Sequence, residues 1–269
     1  MSVPILLFAA AALSISREAQ QGGVIRVEGA PAQAAVAALQ PGGKDVPLFA
    51  ESGGARRGLV PVLYNLAPGP HELLLKNAAG AAIHKATVTV RSSNFKTQNI
   101  RATLRMKQLK ASPGEMDAMR ALHTTVTDAR RWEDQFAPPV QECANSPFGV
   151  TRLHNGKASG NYHRGLDQAS PPGAPIKAAA SGTVKVARMF AMHGGTVGID
   201  HGQGLTSHYL HMSKVIAKEG QAVRQGDVLG LVGSTGFATG PHLHWGMYLF
   251  ALPINPHPWI PSVKACGEK

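Results

Sequence analysis

The chain has 269 residues, 43% hydrophobic and 16% charged, with 30 Gly and 19 Pro. That apolar share supports a packed core and excludes wholesale disorder, while few charges and many Gly and Pro argue against coiled coils and helical bundles and favour a turn-rich β protein. The net charge of +11 is spread over both halves without a basic run, which argues against a nucleic-acid surface and leaves a diffuse positive field.

Residues 1–16 carry no charged side chain, and Val3 to Leu13 is an apolar run followed by Arg17-Glu18. The run has signal-peptide length and is short for a bilayer span, so 1–16 reads as an export leader, with small residues at Ala12, Ser14 and Ser16 for cleavage. A buried first strand is the competing reading. No later segment is apolar enough for stable membrane insertion.

From 23 to 106 the pattern is strand, turn, strand. Val24 to Val27, Leu59 to Leu66, His71 to Leu75 and Ala86 to Val90 are strand candidates, and Ala67-Pro68-Gly69-Pro70 is a turn. This region is expected to form a small, Ig-like β-sandwich. A linker helix is expected over 110–136. Ser112-Pro113-Gly114-Glu115 has the form of a capping box, and Met116, Met119, Leu122 and Val126 recur at helical spacing as a packing face. Pro138-Pro139 would end it.

Residues 144–262 hold short strand-like runs between glycines, and nine of the twelve His lie at or beyond 154. This region is expected to be all-β and to carry the chemistry. Two motifs stand out, His163-Arg164-Gly165-Leu166-Asp167 and His242-Leu243-His244. Catalytic zinc takes three protein ligands and keeps a position open for water. Trp245 to Leu249 reads as strand, so 242 and 244 share a face, and one ring can bind metal while the other stays free for proton transfer. In Ser207-His208-Tyr209-Leu210-His211, positions 208 and 211 fall on opposite faces of a regular strand, which makes His208 a surface or groove-wall residue.

The same half resembles the lysostaphin/LytM-type zinc metallopeptidases, which cut peptide bonds of bacterial peptidoglycan. The likeness runs through FGVTRLHNG (148–156), HRGLDQASPPGAPIKAAASGTV (163–184), GIDHGQGLTSHYLHMS (198–213), VRQGDVLGLVGSTGFATGPHLHWGM (223–247) and INP (254–256). It implies a duplicated-hybrid-motif β fold, Zn2+ held by His163, Asp167 and His244, and His211 and His242 as a non-ligand catalytic pair. His242 is expected to be the general base, with His211 bonding water or the oxyanion, although these two roles are interchangeable on sequence alone. His154 and Tyr162 are groove candidates, His201 is structural, no function transfers to His193, and His71, His84 and His123 are ordinary surface or core residues. The implied partner is peptidoglycan in the periplasm or outside the cell. A non-catalytic peptidoglycan-binding regulator on the same fold is the alternative. In an exported chain, Cys143 and Cys266 would be able to pair around the catalytic half.

Overall fold

The computed structural model describes residues 12–100, 103–260 and 262–267; the side chains of Ile100, Arg105, His154 and Ser159 lie outside that description. The chain divides into two compact units, residues 1–93 and 94–269.

The first unit is built from β1 (Ser14–Ile15), β2 (Glu18–Gln20), β3 (Val24–Ala30), β4 (Val36–Gln40), β5 (Val46–Pro47), β6 (Phe49–Ala50), β7 (Arg56–Pro61), β8 (Gly69–Lys76) and β9 (Ala82–Arg91). They form sheets of order β1-β3-β7-β6 and β2-β9-β8-β4-β5. Alternation places Ile25 and Val27 of β3, His71, Leu73 and Leu75 of β8, and Val88 and Val90 of β9 in the interior. The connection over 62–68 carries the chain from one sheet to the other: the strand expected to reach Leu66 ends at Pro61, and Gly69 and Pro70, expected in the turn, begin β8. The sequence-expected leader 1–16 lies outside the described residues as far as 11, and its last part supplies β1, which pairs with β3 at Ile15 and Val27.

The first unit stops short of 106. Ser93 Oγ closes it by donating to the Gln21 carbonyl at 2.9 Å. Thr97–Ile100 instead forms β10 of the second unit, and Phe95 packs edge-on against Phe148. The second unit continues with α1 (Leu104–Gln108), α2 (Glu115–Thr124), β11 (Ala144–Ser146), β12 (Thr151–His154), β13 (Lys157–Tyr162), β14 (Leu166–Ala169), β15 (Pro175–Lys177), β16 (Gly182–Met189), β17 (Gly195–Gly202), β18 (Leu205–Met212), β19 (Lys214–Val215), β20 (Ala222–Val223), β21 (Val228–Leu231), β22 (His242–Leu249) and β23 (Leu252–Ile254). Its main sheet has the order β11-β14-β22-β18-β17-β16-β20, with β23 added beside β22. Every residue of β17 and β18 is buried, the pattern of strands covered on both faces. Smaller sheets, β10-β12-β13 and β15-β21-β19, flank it.

The helix expected over 110–136 is shorter, and α2 ends at Thr124. The run Thr124-Thr125-Val126-Thr127 is β-branched and stiff at χ1, which disfavours continuation, and Thr125 is already extended. Residues 125–143 form a strap. Arg131 donates its backbone N–H to His201, Phe136 to Trp259 and Ala137 to Ala179, while Trp132 and Phe136 pack edge-on against Trp259. Of the four expected packing residues, Met119 and Leu122 are buried with Val186 and Leu210, whereas Met116 and Val126 are exposed. The Cys143–Cys266 disulfide closes a separation of 123 residues; in the chain-entropy model such a loop contributes about 4–5 kcal/mol. No helix among the described residues is long and apolar enough to cross a membrane.

Glu115 begins α2 and is fully buried. Its carboxylate accepts from the Ser112 N–H and hydroxyl, both at 2.7 Å, but the N-cap of α2 is Gly114 rather than Ser112, so the expected capping box does not form in that register. The carboxylate's larger share of bonds goes to the 191–193 turn. Burial alone would raise its pKa, but hydrogen bonds from Ser112 and His193 bring it down to about 2. A depressed folded pKa gives stability that is present above the ordinary value of 4.5 and is lost as pH falls toward 2. In calorimetry of the metal-free protein, the wild type is therefore expected to lose more Tm between pH 5 and 3 than Glu115→Gln does. Parallel curves would show that Glu115 is not held as a carboxylate.

Candidate metal centre

Two neighbouring strands create the core of the site. Asp167 on β14 and His244 on β22 are direct register partners, so their side chains rise together on one face. His163 precedes β14 and is pinned by its own backbone, with its N–H donating to Val150 and its carbonyl accepting from Gly149. His163 Nε2, Asp167 Oδ1 and His244 Nδ1 converge, separated pairwise by 2.9, 3.0 and 2.8 Å. Among the described residues, these three form the cluster able to hold a metal ion.

The surroundings suit each group to that task. His163 Nδ1 lies 2.8 Å from the Pro147 carbonyl; donating there fixes the tautomer that turns the Nε2 lone pair inward. Arg152 donates to Asp167 Oδ2 at 3.2 Å, leaving Oδ1 toward the rings. Burial would raise the Asp167 pKa, but His163 and His244 hold it well below the usual carboxylate range. Burial pushes His244 down to about 4, against the opposing pull of Asp167. Two imidazoles and one carboxylate match the donor set of catalytic zinc.

Beside them stand His211 and His242, with ring centroids 4.8 Å apart. His242 Nδ1 lies 2.8 Å from the Gly240 carbonyl and His211 Nδ1 2.9 Å from the Thr235 carbonyl. With Nδ1 hydrogens committed to carbonyls, each neutral ring presents an Nε2 lone pair, the form of a base rather than a donor. His242 Nε2 is 3.9 Å from Asp167 Oδ1. Burial, then the charges of His242 and His244, lowers His211 to about 3.

His211 departs from strand geometry. Its φ is +65°, a left-handed conformation that costs a non-glycine residue about 1–2 kcal/mol. The β17–β18 register shifts there, and this bulge overturns the alternation expected for 208 and 211: both rings line the same groove. His208 is accordingly buried in the groove wall, one of the two places expected for it, and not on the surface. It stacks on His244 at 5.5 Å and shares a 3.0 Å hydrogen bond with His123 of α2. His123, expected to be ordinary, lies flat on Tyr248 at 3.6 Å. A Cβ on Gly246 would fall 2.2 Å from His208 Nε2, so that glycine makes space for the ring. The alternation signal places His208 with Thr206 and Leu210, but no local pattern links residues 123 and 208.

The groove has a volume of about 820 Å³. Beyond the histidines, Asn145, Tyr162, Arg164, Met116, Met192 and Phe237 line it. The Arg164 guanidinium sits 5.5 Å from the Tyr162 ring. His201 is structural, bonded to the Ser181 carbonyl and the Ser207 hydroxyl. The His154 side chain is outside the described residues.

Two imidazoles and a carboxylate converge from β14, β22 and the segment just before β14, with two further imidazoles beside them in an open groove: a candidate metal site on a β scaffold. Residues 161–256 match Peptidase family M23. A crystal structure of an M23 peptidase from Pseudomonas aeruginosa is 32% identical, with a TM-score of 0.64 over 89% of this chain and 93% of that one. The chain belongs to peptidase family M23. The DD-carboxypeptidase/endopeptidase Mpg of Neisseria meningitidis serogroup B is 40% identical over 119 residues, which are 44% of this chain and 27% of that protein. The peptidoglycan DD-endopeptidase ShyA of Vibrio cholerae is 39% identical over 111 residues, 41% of this chain and 26% of that protein. The matched part thus spans about a quarter of these curated relatives.

Proposed function

We propose that the chain is an exported, zinc-dependent endopeptidase that hydrolyses peptide bonds in peptidoglycan. The observation that carries this reading is the convergence of His163, Asp167 and His244 beside two uncommitted Nε2 atoms. Relatives named as peptidoglycan endopeptidases support the substrate class. The disulfide supports export, since such bonds persist in oxidising compartments.

Zinc held by His163, Asp167 and His244 would polarise the scissile carbonyl and acidify a water. His242 Nε2, 3.9 Å from Asp167 Oδ1, would take a proton from water at the site and return it to the leaving amine. His211 accepts a hydrogen bond from water through Nε2, and donates to an oxyanion only once it is itself protonated. Half-buried Arg152 keeps Asp167 turned toward its ring partners.

The test is metal analysis of the purified protein together with mass spectrometry of its products from crosslinked muropeptides. Expected are about one zinc per chain, as a catalytic site of this type requires, and cleavage at a peptide bond. Zinc binding with intact muropeptides would replace this reading with the non-catalytic regulator.

A further inference from the structure

Glu115 lies outside the catalytic motifs, yet its carboxylate holds the turn on which His211 depends. Oε1 accepts from the backbone N–H of Met192 at 3.0 Å and of His193 at 2.9 Å, and Oε2 accepts from Ala191 at 3.2 Å. Three consecutive amides around one anion form a nest, a concavity of positive partial charge. Here the anion comes from the helix itself. His193 adds a side-chain bond from Nδ1 at 2.6 Å.

The turn then reaches His211 by two routes. The His193 carbonyl accepts the His211 N–H at 3.0 Å. The Met192 carbonyl accepts the Phe237 N–H at 2.8 Å, steadying the loop whose Thr235 carbonyl takes His211 Nδ1. Thr235 Oγ1 ties the two sides together, accepting from Gly195 and donating to the Met212 carbonyl. A non-glycine residue at positive φ persists only where its surroundings over-determine it, and His211 is held at its backbone by the 191–193 turn and at its ring by the Thr235 loop that the turn bonds through Phe237.

We infer that Glu115 is a positioning residue for His211: its carboxylate fills the 191–193 amide nest and thereby fixes the turn that holds His211 in its left-handed, groove-facing conformation. The carboxylate's low pKa, about 2, keeps it ionised at any working pH. The proposal rests on the catalytic role given to His211 above.

The experiment compares the zinc-loaded wild type with Glu115→Gln and His193→Ala. Zinc content, thermal midpoint, kcat and KM on crosslinked muropeptides, and the NMR resonance of the His211 Nδ1–H are measured for each. An amide at 115 turns an NH2 toward backbone N–H groups and cannot fill the nest. The folded Glu115→Gln variant is expected to keep zinc, lower kcat about 10- to 100-fold with KM within about twofold, and shift or broaden the His211 resonance. His193→Ala removes the side-chain donor and leaves the backbone nest, so a smaller loss, about three- to tenfold, is expected in kcat. A folded Glu115→Gln variant with wild-type kcat and resonance overturns the inference, whatever its thermal midpoint. Should Glu115→Gln not fold, wild-type kcat and resonance in His193→Ala overturn it instead. A wild type inactive on muropeptides, with the resonance still lost in Glu115→Gln, would remove the peptidase reading and leave the positioning role standing.

Discussion

His244→Ala is expected to lose both bound zinc and activity, whereas His242→Ala keeps zinc and loses activity by about 10²–10⁴-fold, the usual size of a general-base contribution. The two residues are neighbours on β22 and point to one side, so their contrast comes from geometry alone. His244 Nδ1 sits 2.8 Å from Asp167 Oδ1 and 3.0 Å from His163 Nε2, and its loss leaves two donors where three are needed. His242 Nε2 stays 3.9 Å from the carboxylate with its other nitrogen committed to Gly240. Inductively coupled plasma spectrometry for zinc and a muropeptide assay for turnover separate the two variants. Full activity in His242→Ala would sink the assignment. If His211 were the base instead, His211→Ala would show the larger loss in kcat.

The parts legible in the sequence are those with short-range causes. His163 and Asp167 are four apart, His242 and His244 two apart, and one strand pairing joins the two motifs. Strand alternation in β3, β8 and β9 reads through to the interior. The illegible parts have long-range causes. Glu115 reads as a cap from its spacing to Ser112, but most of its bonds go to amides 76 to 78 residues away. His123 and His208 are separated by 85 residues, and only the packing of α2 on the sheet brings them together. The expected helix runs to 136 because the next strong stop signal is Pro138-Pro139, whereas the β-branched run already ends the helical backbone at Thr124. The left-handed turn at His211 is not marked by the alternation of the surrounding strand residues, and residue type is a weak signal, since even the enriched types adopt positive φ only occasionally.

Gly165→Ala is expected to weaken zinc binding about 10- to 100-fold and to lower activity at limiting zinc by the same factor, the scale of disturbing a ligand's support. The glycine lies between the proposed ligands His163 and Asp167 in sequence, and the reason is spatial rather than conformational. A Cβ there would stand 2.6 Å from the Trp245 carbonyl oxygen, 2.7 Å from His244 Nε2 and 2.8 Å from His244 Cε1. The carbonyl belongs to β22, whose Trp245 side chain is fully buried, so the backbone has little freedom to withdraw. The His244 ring must move, and His208, stacked behind it and bonded to His123, resists that movement. The added methyl therefore displaces Nδ1 from Asp167 or forces β14 away from β22. Competition with a chromophoric chelator measures the affinity directly, and excess zinc should recover part of the activity. An unchanged zinc affinity in a folded Gly165→Ala protein would mean that the His244 ring has slack, and that its position is set by the metal rather than by the strands around it.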